Sequence, residues 1–272
     1  GTGATTATGA GRGAATGAGL FCTDGGTTRA TLASGGSVGP STRRVGAGRS
    51  RGADGPSRRI GEGRGFNSNR CALPTIAFFD RPWDHEVFEQ VDVVGVSLEE
   101  CWYRSVAEGA ALPSGANPQK DTLNFFAVMQ QKSEWLALAA MRTNADLLVW
   151  IDFGILHVPG VTEQHISDFL ARLPRARTDV ITLPTIWGIL PLTEIDFNEP
   201  CWSAAGGVLI VPRALAGWFA AEVRRVAEAM IRGGEPATWE VNTWAAVASA
   251  WPDRFTTYHC DHDATLFDAF RP

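Results

Sequence analysis

Four groups of residues in this chain have types and spacings suited to chemistry: Asp152 with Gly154, Gly206 with Gly207, Glu240 with Asn242, and the closing run His259-Cys260-Asp261-His262-Asp263. Carboxylate oxygens and an imidazole suit Mn2+ or Mg2+, and such an ion can neutralise a diphosphate as it leaves in a displacement reaction. Asp152 and His262 would supply the ion's ligands, and Glu240 the carboxylate near an attacking hydroxyl. Taken singly, each group also reads as an ordinary turn cap, strand entry, helix first-turn carboxylate or packed histidine. Only a common placement would make them a site.

That placement depends on the elements around them. Leu147 to Ile151 is an unbroken apolar run of strand length, which fits a strand covered on both faces and lying mid-sheet. Asp152 then falls at its carboxyl end, where open α/β sheets place ligand-binding groups. Further strands are expected at Pro74–Phe79, Val91–Val96, Asp179–Leu183, Gly207–Val211 and Arg254–Tyr258. Helices are expected after Ser97, over Asp121–Met141, from Thr162 to Leu173, over Ala214–Ile231 and over Glu240–Ala250. The polar stretch Q-Q-K-S-E inside Asp121–Met141 reads as a candidate break between two helices. Gly109–Pro118 and the proline-rich stretch from Pro184 to Pro200 read as loops. The order strand, strand, helix, strand favours an α/β sheet of parallel character.

Composition divides the chain. Residues 1–72 hold 19 of the 30 glycines and ten arginines against three acids, with few large apolar side chains. That segment reads as disordered and low in complexity. It is either a Gly/Arg tail with weak affinity for nucleic-acid backbones or the product of GC-rich DNA read outside natural coding sequence. Residues 73–272 contain all ten tryptophans and carry 14 basic against 26 acidic side chains, which argues against nucleic-acid binding by the folded part. Cys22, Cys71, Cys101, Cys201 and Cys260 are scattered with no C-x-x-C pair, as expected of free thiols in a reducing compartment. No apolar run approaches the roughly 18 to 20 residues that span a bilayer. The expectation is therefore a cytoplasmic protein without a transmembrane segment.

The succession A-D-L-L-V-W-I-D-F-G, S-A-A-G-G-V-L-I-V-P, T-W-E-V-N-T-W and Y-H-C-D-H-D resembles glycosyltransferases of the GT-A fold, and among them the bacterial HtrL/YibB-type family, over about residues 74–270. The resemblance implies a mixed, mainly parallel sheet flanked by helices. It also implies a hexosyl transfer from a nucleotide-sugar donor to a glycan or lipid-linked acceptor of cell-surface polysaccharide, assisted by Mn2+ or Mg2+. By position Asp152-Phe153-Gly154 corresponds to the D-x-D motif, Gly206-Gly207 to the strand start after the acceptor loop, Glu240 to the acidic residue opening a later helix, and His259 or His262 to the histidine completing the metal shell. The second aspartate of D-x-D is Gly154 here, so either one carboxylate suffices or Asp146 or Asp261 takes part. No apolar run precedes Pro74 to supply the family's opening strand, so that strand is either Pro74–Phe79 itself or missing. The alternative is a catalytically inactive domain of this fold that retains glycan or partner binding. Trp83, Trp187, Trp202 and Trp239 are candidates for walls that stack on sugars.

Overall fold

The computed structural model of the chain describes residues 19–22, 30–33, 75–79 and 91–272. Eight strands form one mixed sheet: β1 (Gly19–Cys22), β2 (Ala30–Ala33), β3 (Thr75–Phe79), β4 (Val91–Gly95), β5 (Leu147–Asp152), β6 (Ile181–Thr185), β7 (Val208–Pro212) and β8 (Phe255–His259). β4 pairs with β3 in parallel, and β5, β7, β6 and β8 follow in that order on the other side. β7 runs antiparallel to both its neighbours, while β6 and β8 are parallel to each other.

The slot between β3 and β5 is filled by β1 and β2. β2 is parallel to both flanking strands, and β1 is antiparallel to both. These two four-residue strands lie within the segment expected to carry no structure. Gly19 of β1 pairs with Asp152 at the carboxyl end of β5. From this slot β3 and β4 extend the sheet one way and β5 the other. Asp152 therefore sits where strand order reverses, the place at which open α/β sheets leave a crevice for ligands.

β5 explains why the run Leu147–Ile151 has no polar member. Leu148 and Trp150 face a core built with α1 (Trp102–Val106), α2 (Leu123–Arg142), α4 (Arg213–Arg232) and α5 (Glu240–Ala250). Leu147, Val149 and Ile151 face a second core with α3 (Glu163–Arg172) and α6 (Thr265–Asp268). Helices thus cover both faces, and the run is buried throughout. Each such side chain contributes roughly 1.5–3 kcal/mol relative to exposure, so the strand that carries Asp152 is held firmly on both sides.

The expected break in the second helix is absent. α2 is continuous over 20 residues, its start capped by the Thr122 hydroxyl accepting from the Phe125 N–H at 3.2 Å. Lys132 and Ser133, in the middle of the supposed break, are buried. No helix among the described residues is long and apolar enough to cross a membrane. Cys101, Cys201 and Cys260 are free, buried thiols; burial pushes Cys101 up to about 11 and Cys260 to about 12, which makes both poor nucleophiles.

Candidate functional site

The site is organised by a residue that sequence reasoning missed. Lys132 projects from α2 beneath the carboxyl edge of the sheet and is 1% exposed. Its Nζ lies 2.9 Å from Asp152 Oδ1 and 3.2 Å from Oδ2, 2.7 Å from Glu240 Oε1, and 3.0 Å from the Gly206 carbonyl oxygen. Its three donors are therefore spent on three segments: the end of β5, the start of α5, and the loop entering β7. The indole rings of Trp150 and Trp244 flank the ammonium at 5.7 and 5.9 Å from their centroids, adding cation–π attraction in a dry setting.

Charge explains how a lysine can be buried here. Burial alone would lower its pKa, but Asp152 and Glu240 together hold it above the ordinary lysine value. Asp152 moves the other way from a simple salt-bridged aspartate. Burial raises its pKa against the pull of Lys132, and the Glu240 carboxylate raises it further. Asp152 is held in one orientation by Trp150, whose Nε1 donates to Oδ1 at 2.6 Å, while its own N–H donates to the Gly207 carbonyl at 2.9 Å.

Both glycines lie in close approach to neighbouring side chains. A Cβ on Gly206 would lie 2.5 Å from Glu240 Oε1 and 3.0 Å from Val241 Cγ1, and one on Gly207 would lie 2.8 Å from Ile155 Cδ1. Glu240 cannot swing aside because Lys132 pins it. Gly206→Ala should therefore lower stability by about 1–3 kcal/mol, the range for overpacking a close-packed interior, and urea unfolding of the variant measures it.

Above the triad opens a cleft of about 570 Å³. Asp152, Gly154, Gly206, Gly207, Glu240 and His262 all line it, so most of the residues singled out in the sequence do converge. Trp202 and Trp239 form parts of its wall, with Trp202 edge-on to His262 at 5.5 Å. Trp187, 54% exposed, does not line it, and Trp83 lies outside the described residues. Asn242 has a positioning part. Fully buried, it accepts from the Cys201 N–H at 2.7 Å and donates to the carbonyls of Asp196 and Glu199, fixing the loop that brings Glu199, Pro200 and Trp202 to the cleft.

Other expected residues are placed elsewhere. His259 is the last residue of β8, exposed on the same side of the strand as Thr257, and does not line the cleft; His262, beyond the turn, does. Asp146 lies at the opposite end of β5 from Asp152, its carbonyl accepting from the Arg213 N–H. Asp261 is exposed, does not line the cleft, and its N–H donates to Thr265 Oγ1. Neither Asp146 nor Asp261 lines the cleft beside Asp152.

No group of three or more His, Cys, Asp or Glu side chains converges as a metal cage among the described residues. Mg2+-type ions, however, are commonly held by one or two carboxylates plus substrate phosphates, and that mode suits this cleft. Asp152 retains 26% of its side-chain exposure while bound to Lys132. Among the described residues the lining carboxylates Asp121, Asp152, Glu199 and Glu240 outnumber the one lining lysine, Lys120. An anionic diphosphate would therefore enter favourably only with its own cation.

The chain matches no model of a protein family, no curated protein and no solved structure, so the chemistry of the cleft rests on its own geometry.

Proposed function

We propose that the protein is a GT-A-like glycosyltransferase that moves a hexose from a nucleotide-sugar donor to a glycan or lipid-linked acceptor. The observation that carries this reading is the Lys132 bridge, which fixes two carboxylates from separate segments, Asp152 and Glu240, side by side under an aromatic-walled cleft at the carboxyl edge of the sheet. Asp152, with His262 lining the same cleft, would hold a divalent ion, Mn2+ or Mg2+, whose chemistry is to offset the charge of the departing diphosphate. Glu240 uses Oε1 on Lys132, and among the described residues its Oε2 has no protein partner. Oε2 is thus free to accept the proton of an attacking hydroxyl. Trp202 would stack on a sugar whose hydroxyls meet the surrounding carboxylates, and Trp239, buried and packed at a right angle to Phe126, backs the cleft.

With Mn2+ present, the full chain should release UDP or GDP from a matching nucleotide sugar. Asp152→Ala should abolish that release. Equal release by the variant would remove Asp152 from the mechanism.

Gly154 favours a second reading, because it leaves a single carboxylate at the strand end where the resembling family has two. In that reading the cleft binds glycan without transferring it. Glycan binding that survives both Asp152→Ala and Glu240→Ala, with no nucleotide release by the parent chain, would decide for it.

A further inference from the structure

Asp121 lines the same cleft, and the triad does not use it. It is 5% exposed. Its Oδ2 accepts from the Asn117 N–H at 2.9 Å, while its Oδ1 is buried with no hydrogen-bond partner among the described residues. A carboxylate oxygen left this way costs free energy, and native structures rarely keep one without a use for it. Lys120 does not answer it: its ammonium lies over the Phe125 ring, 5.0 Å from the centroid.

The surrounding loop is rigidly tied, so the position of the carboxylate is built rather than incidental. The Asp121 N–H donates to the Asn117 carbonyl at 2.7 Å, the Gly115 N–H to the Asn198 carbonyl at 3.1 Å, and the Ala237 N–H to the Ala111 carbonyl at 2.8 Å. Thr122, the next residue, caps α2, the helix that carries Lys132. One helix thus ties the Asp121 wall to the triad.

We propose that Asp121 is a sugar-recognising residue, whose Oδ1 accepts the O–H of one ring hydroxyl of the sugar held in the cleft. This rests on the glycosyltransferase reading and names a group that recognises its sugar. A neutral hydroxyl suits the position because only one oxygen is free and because the neighbouring wall already carries Lys120. Oδ1 is closed to bulk solvent, so it meets the hydroxyl by rotation of the carboxylate about its terminal torsion, which is soft for aspartate and carries Oδ2 with it.

Asp121→Asn is the test. Its amide oxygen can keep the Asn117 hydrogen bond, while its NH2 places a donor where the hydroxyl needs an acceptor. Isothermal titration of the full chain with UDP-glucose and GDP-mannose, and with free UDP and GDP, all with Mn2+, reads the effect. The variant should bind the accepted nucleotide sugar roughly ten- to a hundredfold more weakly, the range for a hydrogen bond to a charged group. Its affinity for the free nucleotide and its melting temperature should be unchanged, or the latter raised. Unchanged affinity for the nucleotide sugar, an equal loss for the free nucleotide, or a lowered melting temperature would each overturn the inference. If Asp152→Ala loses binding while Asp121→Asn retains it, only Asp121 is wrong. If the parent chain binds none of the four compounds, the glycosyltransferase reading falls and this inference with it.

Discussion

Lys132→Met should lower the unfolding free energy by about 3–5 kcal/mol, the cost of removing one partner from a buried ionic group. The variant leaves Asp152 and Glu240 facing each other without the ammonium that lies 2.9 and 2.7 Å from them, and strips the Gly206 carbonyl of its donor. For a folded unit of this size that corresponds to roughly 10 °C in melting temperature. Neutralising the orphaned carboxylates as well, in Lys132→Met with Asp152→Asn and Glu240→Gln, should recover most of the loss, because a buried ion group replaced as a whole is often nearly neutral. If the triple variant is no more stable than the single one, the loss came from packing rather than charge.

The pH dependence of this difference has a definite sign. The pKa of Lys132 is raised in the folded state above its ordinary 10.5. The native state therefore holds the proton more tightly than the unfolded chain. The advantage of the parent chain over Lys132→Met should be full between the pH at which Asp152, its own pKa raised, is ionised and about pH 10.5, and shrink as the pH rises through the raised lysine value or falls far enough to protonate the carboxylates. Comparing the two proteins removes the separate alkaline cost of Tyr103, which burial pushes up to about 12.

Glu240→Gln should lower the rate of sugar transfer by about 10²–10⁴-fold, the usual contribution of a positioned general base. The amide still offers an oxygen to Lys132 at the position of Oε1, so the fold should keep its melting temperature to within a few degrees. Donor binding should be nearly unaffected, because the residue faces the acceptor hydroxyl. A fall in the catalytic rate at an unchanged donor KM identifies a base. A raised KM with an unchanged rate would instead make Glu240 a binding residue.

Much of the scaffold was legible because burial on both faces leaves an uninterrupted apolar run. Leu147–Ile151 could be read as a central strand, and the aspartate ending it as a group at the edge. Glu240 was legible as a helix first-turn carboxylate, and Gly206-Gly207 as a strand entry, although their close approach to Glu240 and Ile155 was not. Lys132 was hidden by its own charge. Within Q-Q-K-S-E it looked like a break in an amphipathic pattern, yet it stands three residues after Met129 and four before Leu136, both buried, and thus on the apolar stripe of α2. A lysine on that stripe, one of only two in the chain, was the available signal. β1 and β2 gave none, since their pairing is set by the slot between β3 and β5 rather than by their own four residues. Asp146 and Asp261 show the limit of spacing alone. Asp146 is close to Asp152 in sequence, but a strand carries it to the far edge of the sheet, and Asp261, one residue before His262, does not line the cleft.

The most direct measurement is thermal unfolding of the full chain with UDP and with GDP, each in the presence of Mn2+ and again with a chelator, for the parent and for Asp152→Ala. A nucleotide at about 100 times its Kd adds roughly 2.7 kcal/mol to the folded state, a shift of several degrees in melting temperature. The expected result is such a shift in the parent with one nucleotide plus Mn2+, lost with the chelator and lost in Asp152→Ala. A parent chain that melts at the same temperature with and without every nucleotide, or an Asp152→Ala variant that shifts as much as the parent, would contradict the assignment of this cleft to a nucleotide sugar.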